Sequence, residues 1–146
     1  MLHTFVGDDV EGVRAVVRTP FREYLRAAIS LEEKSAIGGG VISGGHRIEE
    51  HAIPEAVMDD LLDATFERYF RTGALMGTPA GLESFVLRLA EIGVDEIACL
   101  IDFGVDESLV LASLAVLDEL RARFSGETAA LLAEQALAGF LENLEE

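Results

Sequence analysis

The chain has 146 residues, half of them apolar, enough for one domain, since a chain of this size buries roughly 68–70% of its unfolded surface. Its 27 acidic and 11 basic residues leave a formal net charge of −16, so it lacks the basic footprint that nucleic acids and anionic membranes select. A mean hydropathy of +0.30 supplies the apolar surface needed to fold, which sets intrinsic disorder aside.

Leu2 to Val6 reads as a short strand, and Gly7 ends it. No basic region leads into a long apolar stretch at the N-terminus, so no signal peptide is expected. Asp8-Asp9-Val10-Glu11 looks like a helix start, with an aspartate capping free amides and Glu11 at capping-box spacing from Asp8. Val10, Val13, Val17, Phe21, Leu25 and Ile29 recur at helical steps. Pro20 falls inside this face and is expected to kink or split the helix near Thr19. Arg14, Arg18, Arg22 and Arg26 form a row at four-residue steps on another side. A solvated basic stripe and an anion- or partner-binding face are both open readings of it.

Ala36 to Gly45 reads AIGGGVISGG, and residues 36–53 are expected to be a flexible glycine-rich loop. A phosphate loop needs Lys-Ser/Thr after its last glycine, whereas His46-Arg47 follow here. His46, Glu49, Glu50 and His51 do not have the HExxH spacing, so no metal site is assigned. Pro54 suits a helix first turn. Val57, Leu61, Leu62, Phe66, Tyr69 and Phe70 form an apolar stripe, with Asp59, Asp60, Asp63 and Glu67 off it. Gly73 ends that helix.

Gly77-Thr78-Pro79 starts the next helix, with Thr78 as cap and Leu82, Phe85, Leu89 and Ile92 as its inner face. Gly93-Val94 matches a glycine C-cap. Ile97 to Ile101 is apolar throughout, which predicts a strand covered on both faces. The single cysteine, Cys99, lies inside it and reads as a small buried hydrophobe. A lone cysteine fits a reducing, cytoplasmic setting. Asp102-Phe103-Gly104 matches three letters of a kinase motif, but the glycine-rich loop, strand lysine and catalytic loop of a kinase are absent. Asp106 can cap a helix whose apolar face is Leu109, Val110, Leu114, Leu117, Leu120 and Phe124. An extra acidic helix is expected over 125–146. No apolar run approaches the ~18 residues that span a bilayer. The fold class is therefore α/β and helix-rich, with about two parallel strands and five to six helices.

Two stretches carry a more specific signal. They are Leu2-His3-Thr4-Phe5-Val6-Gly7-Asp8-Asp9 and the block from Gly93 to Val105, GVDEIACLIDFGV. Pro20 to Arg26, PFREYLR, and Gly77-Thr78-Pro79 lie between them. Together, residues 1–124 resemble the C-terminal portion of a luciferase-like, FMN-dependent monooxygenase of the type associated with nonribosomal peptide and polyketide assembly lines. The resemblance implies a partial (β/α)8-type barrel fragment, FMN as cofactor, and oxidation chemistry in secondary-metabolite biosynthesis. It places His3, Asp102, Phe103 and Gly104 on or near the cofactor-binding rim and identifies no catalytic base. A full barrel needs ~250 residues, so the chain is expected not to be catalytic in isolation.

The alternative is a non-catalytic interaction or scaffold domain derived from that fold. Such a domain would pair with a second copy or dock to a neighbouring assembly-line module. Residues 36–146 hold 21 acidic and 6 basic residues, a surface suited to a basic partner or simply to solubility.

Overall fold

A computed structural model describes residues 1–38 and 54–125, with side chains for 1–29 and 54–125. The predicted glycine-rich segment beyond Gly38, the group His46, Glu49, Glu50 and His51, and the extra acidic helix lie outside these residues. The order is β1 (Leu2–Val6), α1 (Val10–Gly38), α2 (Glu55–Arg68), β2 (Leu75–Gly77), α3 (Pro79–Glu91), β3 (Cys99–Leu100) and α4 (Glu107–Arg123). A π-helical turn, Tyr69–Gly73, extends α2. Among the described residues the fold is α/β and helix-rich, with four helices and an open sheet of three parallel strands ordered β2-β1-β3.

β1 occupies the centre. Thr4, Phe5 and Val6 pair with Leu75, Met76 and Gly77, and Leu2 and His3 pair with Cys99 and Leu100. The chain leaves β1 in one direction to reach β2, then crosses back past β1 to reach β3. Right-handed crossovers running in opposite directions lay helices on opposite faces. The packing shows this. Phe5 meets Val13, Val17 and Phe21 of α1, Phe66 of α2, and Phe103. Val6 on the other face meets Leu82 of α3 and Leu120 of α4.

β3 is too short to cover the whole edge of β1. The Val6 amide therefore finds no strand partner there and donates instead to Ser113 Oγ of α4, at 2.8 Å. Ser113 is buried, so this bond closes the half-covered edge from the helix side.

The caps follow the sequence closely. Thr78 Oγ1 accepts from the Gly81 amide at 3.1 Å. Asp106 accepts from the Ser108 amide, and the Ser108 hydroxyl and amide hold its carboxyl below the usual range. Gly93 has φ +88, and Val94 bonds back to Leu89 in a Schellman arrangement. At α1 the cap is Asp9, which accepts from Gly12, not Asp8.

The arginine row fits neither of its open readings. Its partners are a second row at the same spacing on α2: Glu55, Asp59, Asp63 and Glu67. Arg14 meets Glu67 at 2.7 Å through both carboxylate oxygens. Arg18 meets Asp63 at 3.1 Å, Arg22 meets Asp59 at 3.1 Å, and Arg26 meets Asp59 at 2.8 Å and Glu55 at 3.2 Å. The pairing order is that of antiparallel helices. Arg22 Nε lies 3.2 Å from Asp63 without hydrogen-bond geometry, so it stays unsatisfied although buried.

Several expectations are corrected. α1 runs unbroken through Pro20 and on through Gly38, because Val13, Val17 and Phe21 on both sides of the proline are anchored in one core. β2 is a third strand, too short and too poor in β-branched residues to register in the sequence. Cys99 is exposed, not buried. Its strand is an edge of the sheet, so no further strand covers it. Val10, Val57, Leu61, Ile92, Leu109 and Leu114 also stay exposed. A sheet of three short strands has too little surface to cover every apolar helix position.

Two outcomes test this packing. Ser113→Ala leaves the Val6 amide buried without an acceptor and should cost about 1–3 kcal/mol in urea unfolding. A double-mutant cycle on Arg14→Gln and Glu67→Gln should give a coupling of about 0.5–1 kcal/mol that shrinks with added salt.

Candidate functional site

His3 stands in the amino-terminal half of β1, on the face covered by α1 and α2. Four aromatic rings surround it. Phe21 and Tyr24 of α1 lie with ring centroids 4.8 Å away, Phe103 lies at 5.8 Å and Tyr69 at 6.3 Å, all edge-on. Aromatic edges carry partial positive charge, and such T-shaped pairs are favourable around a neutral imidazole.

His3 Nε2 is buried and has no hydrogen-bond partner among the described residues. Burial pushes the imidazole below its ordinary value of 6.5. In this arrangement the ring is a neutral packing element. General acid–base work through Nε2 would require the aromatic box to open to a proton carrier.

Phe103 and Gly104 come to the same place from the loop after β3. Phe103 is buried, with its ring 5.7 Å from Phe21. Gly104 has φ +96, and a Cβ there would meet Pro20 at 3.6 Å. The left-handed backbone, more than the space, requires glycine here. Asp102 is exposed and points to no partner among the described residues. The structure thus brings together three of the four rim residues, with Asp102 outside the box.

A second feature lies at the carboxyl end of β2. A cavity of about 520 Å³ opens between the starts of α1 and α3. Its floor includes Phe70, Met76, Leu82 and Phe85, and three arginines reach it: Arg14, Arg71 and Arg88. Arg14 is held by Glu67 and lies 4.3 Å over the Phe70 ring. Arg71 and Arg88 pair with no carboxylate among the described residues. Sequence reasoning missed both. They are isolated in the chain and share no spacing with Arg14, so only the fold places them together.

No family model matches this chain, and no curated protein matches it. None of the described helices is long and apolar enough to cross a membrane.

The lowered His3 value has a signed consequence. The unfolded chain takes up the proton near pH 6.5, before the folded chain does. Stability is therefore full above that value and falls as the pH drops through it towards the lowered folded value. Thermal midpoints should decline from about pH 7.5 to about pH 5.5, and His3→Phe should flatten that decline. Gly104→Ala should cost at least ~1 kcal/mol by the same melting measurement.

Proposed function

We propose that this chain is the C-terminal part of a luciferase-like, FMN-dependent monooxygenase of secondary-metabolite biosynthesis and is not catalytic in isolation. One observation supports the reading. Three of the stretches that carry the resemblance converge in space, since Pro20-Phe21, Phe103-Gly104 and His3 meet in a single aromatic box, while Gly77-Thr78 lies at the β2 cavity. The loops after all three parallel strands also lie at one end of the sheet, where barrel enzymes build their sites.

Two physical constraints shape the proposal. Four rings pack around His3 and its Nε2 is buried, so a flavin would not reach that nitrogen. The flavin would be held mainly by barrel units outside this chain and would supply the oxygen chemistry. This chain would contribute the wall formed by His3, Phe103 and Gly104. A barrel also lays its strands in chain order, which would put β2 between β1 and β3. Here β3 sits on the far edge of β1. Completion of a (β/α)8 barrel therefore requires β3 to move to the free edge of β2.

A second reading, an interaction or scaffold domain, is favoured by the apolar residues left outside. Val57 and Leu61 on α2, and Leu109, Leu111 and Leu114 on α4, are all exposed. Covering them would favour a second copy or a neighbouring assembly-line module.

Flavin titration separates the two. The chain alone should give no bound-flavin spectrum with reduced FMN, and the same chain fused to the N-terminal part of a related barrel should give one. Failure of the fusion to bind flavin, with a dimer or module complex detected by light scattering, would replace the enzyme reading with the scaffold reading.

A further inference from the structure

The arginine-lined cavity is separate in space from the His3 box. It lies at the carboxyl end of β2, whereas the box lies beside the amino-terminal half of β1. Its charge runs against that of the molecule, since the chain as a whole carries −16. Three guanidinium groups from three separate elements share one opening: Arg14 from α1, Arg71 from the π-helical turn and Arg88 from α3.

Their states differ. Arg14 is neutralised by the bidentate bond to Glu67, both contacts at 2.7 Å, and serves as a fixed wall. Arg71 and Arg88 have no carboxylate partner among the described residues. Two unpaired guanidinium forks at one cavity complement a dianion better than a single carboxylate, which one fork already satisfies. The start of α3 does not make the site. The Gly81 and Leu82 amides are already taken by Thr78 Oγ1 and the Thr78 carbonyl.

The lining also offers apolar surface from Val10, which is exposed, and from the half-buried Phe85. A volume of about 520 Å³ lies within the range of small-molecule sites. We infer that this cavity binds a phosphate monoester with an apolar or aromatic body, the phosphate held by Arg71 and Arg88 and the body resting on Val10 and Phe85. Free phosphate shares the anionic contact but not the apolar one, so it should bind more weakly.

The test uses the full chain with three probes at low ionic strength: phenyl phosphate, inorganic phosphate and phenol. Calorimetric titration should show saturable binding of phenyl phosphate, weaker binding of phosphate and none of phenol. Arg71→Gln and Arg88→Gln should each weaken phenyl phosphate about tenfold, with unchanged circular dichroism and melting. Arg121→Gln is the control. Arg121 pairs with Asp118 on α4 and does not line the cavity, so this change should leave binding intact. The inference is overturned if phenyl phosphate does not saturate. It is equally overturned if the cavity variants bind like the parent, or if Arg121→Gln weakens binding as much as they do.

Discussion

Everything in this fold is packed against five residues, Leu2 to Val6. β1 is the strand with neighbours on both edges and helices on both faces. Its alternation decides which helix goes where. His3 and Phe5 face α1 and α2, while Leu2 and Val6 face α3 and α4. A shift of one residue in its register would exchange the two faces and bury His3 against the α4 side. The side-chain bond from Ser113 to Val6 opposes such a shift, because it ties one residue of β1 to one position on α4.

The ion-pair ladder performs a related task for α2. Exposed pairs contribute little each, about 0–1 kcal/mol, so the ladder is not the main source of stability. Burial of Phe21, Phe66 and Leu62, which are almost inaccessible, outweighs it. What the ladder adds is selection. Four arginines and four carboxylates at equal spacing all find partners only when the helices meet in one phase. Sliding α2 by one turn would leave an end arginine unpaired. Charge complementarity thus rejects slipped registers that the apolar stripe alone would tolerate.

Much of this was legible in the sequence and some was not, for physical reasons. Caps at Thr78 and Asp106 and the glycine C-cap at Gly93 depend on residues within a few positions, and they appear where expected. The arginine row was visible, and Asp59, Asp63 and Glu67 were seen off the apolar stripe, but Glu55 was not, and the pairing depends on how two helices meet, which no local pattern carries. β2 was missed because pairing with β1 makes Leu75–Gly77 a strand, not the propensity of Leu-Met-Gly. Cys99 failed for the opposite reason. An apolar run signals burial only if something lies on both sides, and the sheet ends at β3. Of the expected rim residues, His3, Phe103 and Gly104 meet, but the resemblance offered no warning that rings would enclose His3 Nε2.

That packing separates two kinds of residue that a motif cannot tell apart. A glycine with φ +96 against Pro20, a buried Phe103 and a desolvated His3 form a tightly determined local structure. Each would be retained for packing even in a chain that had lost its chemistry. Arg71 and Arg88 of the β2 cavity are the reverse. Arg71 is exposed, occupies no core position and pairs with no acid among the described residues. Folding gains nothing evident from it. In a chain with more than twice as many acids as bases, a cation left without a carboxylate at a cavity mouth carries an electrostatic capacity that the fold itself does not use. Packing accounts for the motif residues and leaves Arg71 and Arg88 over, so the charge that the fold does not use lies at β2 and not at His3.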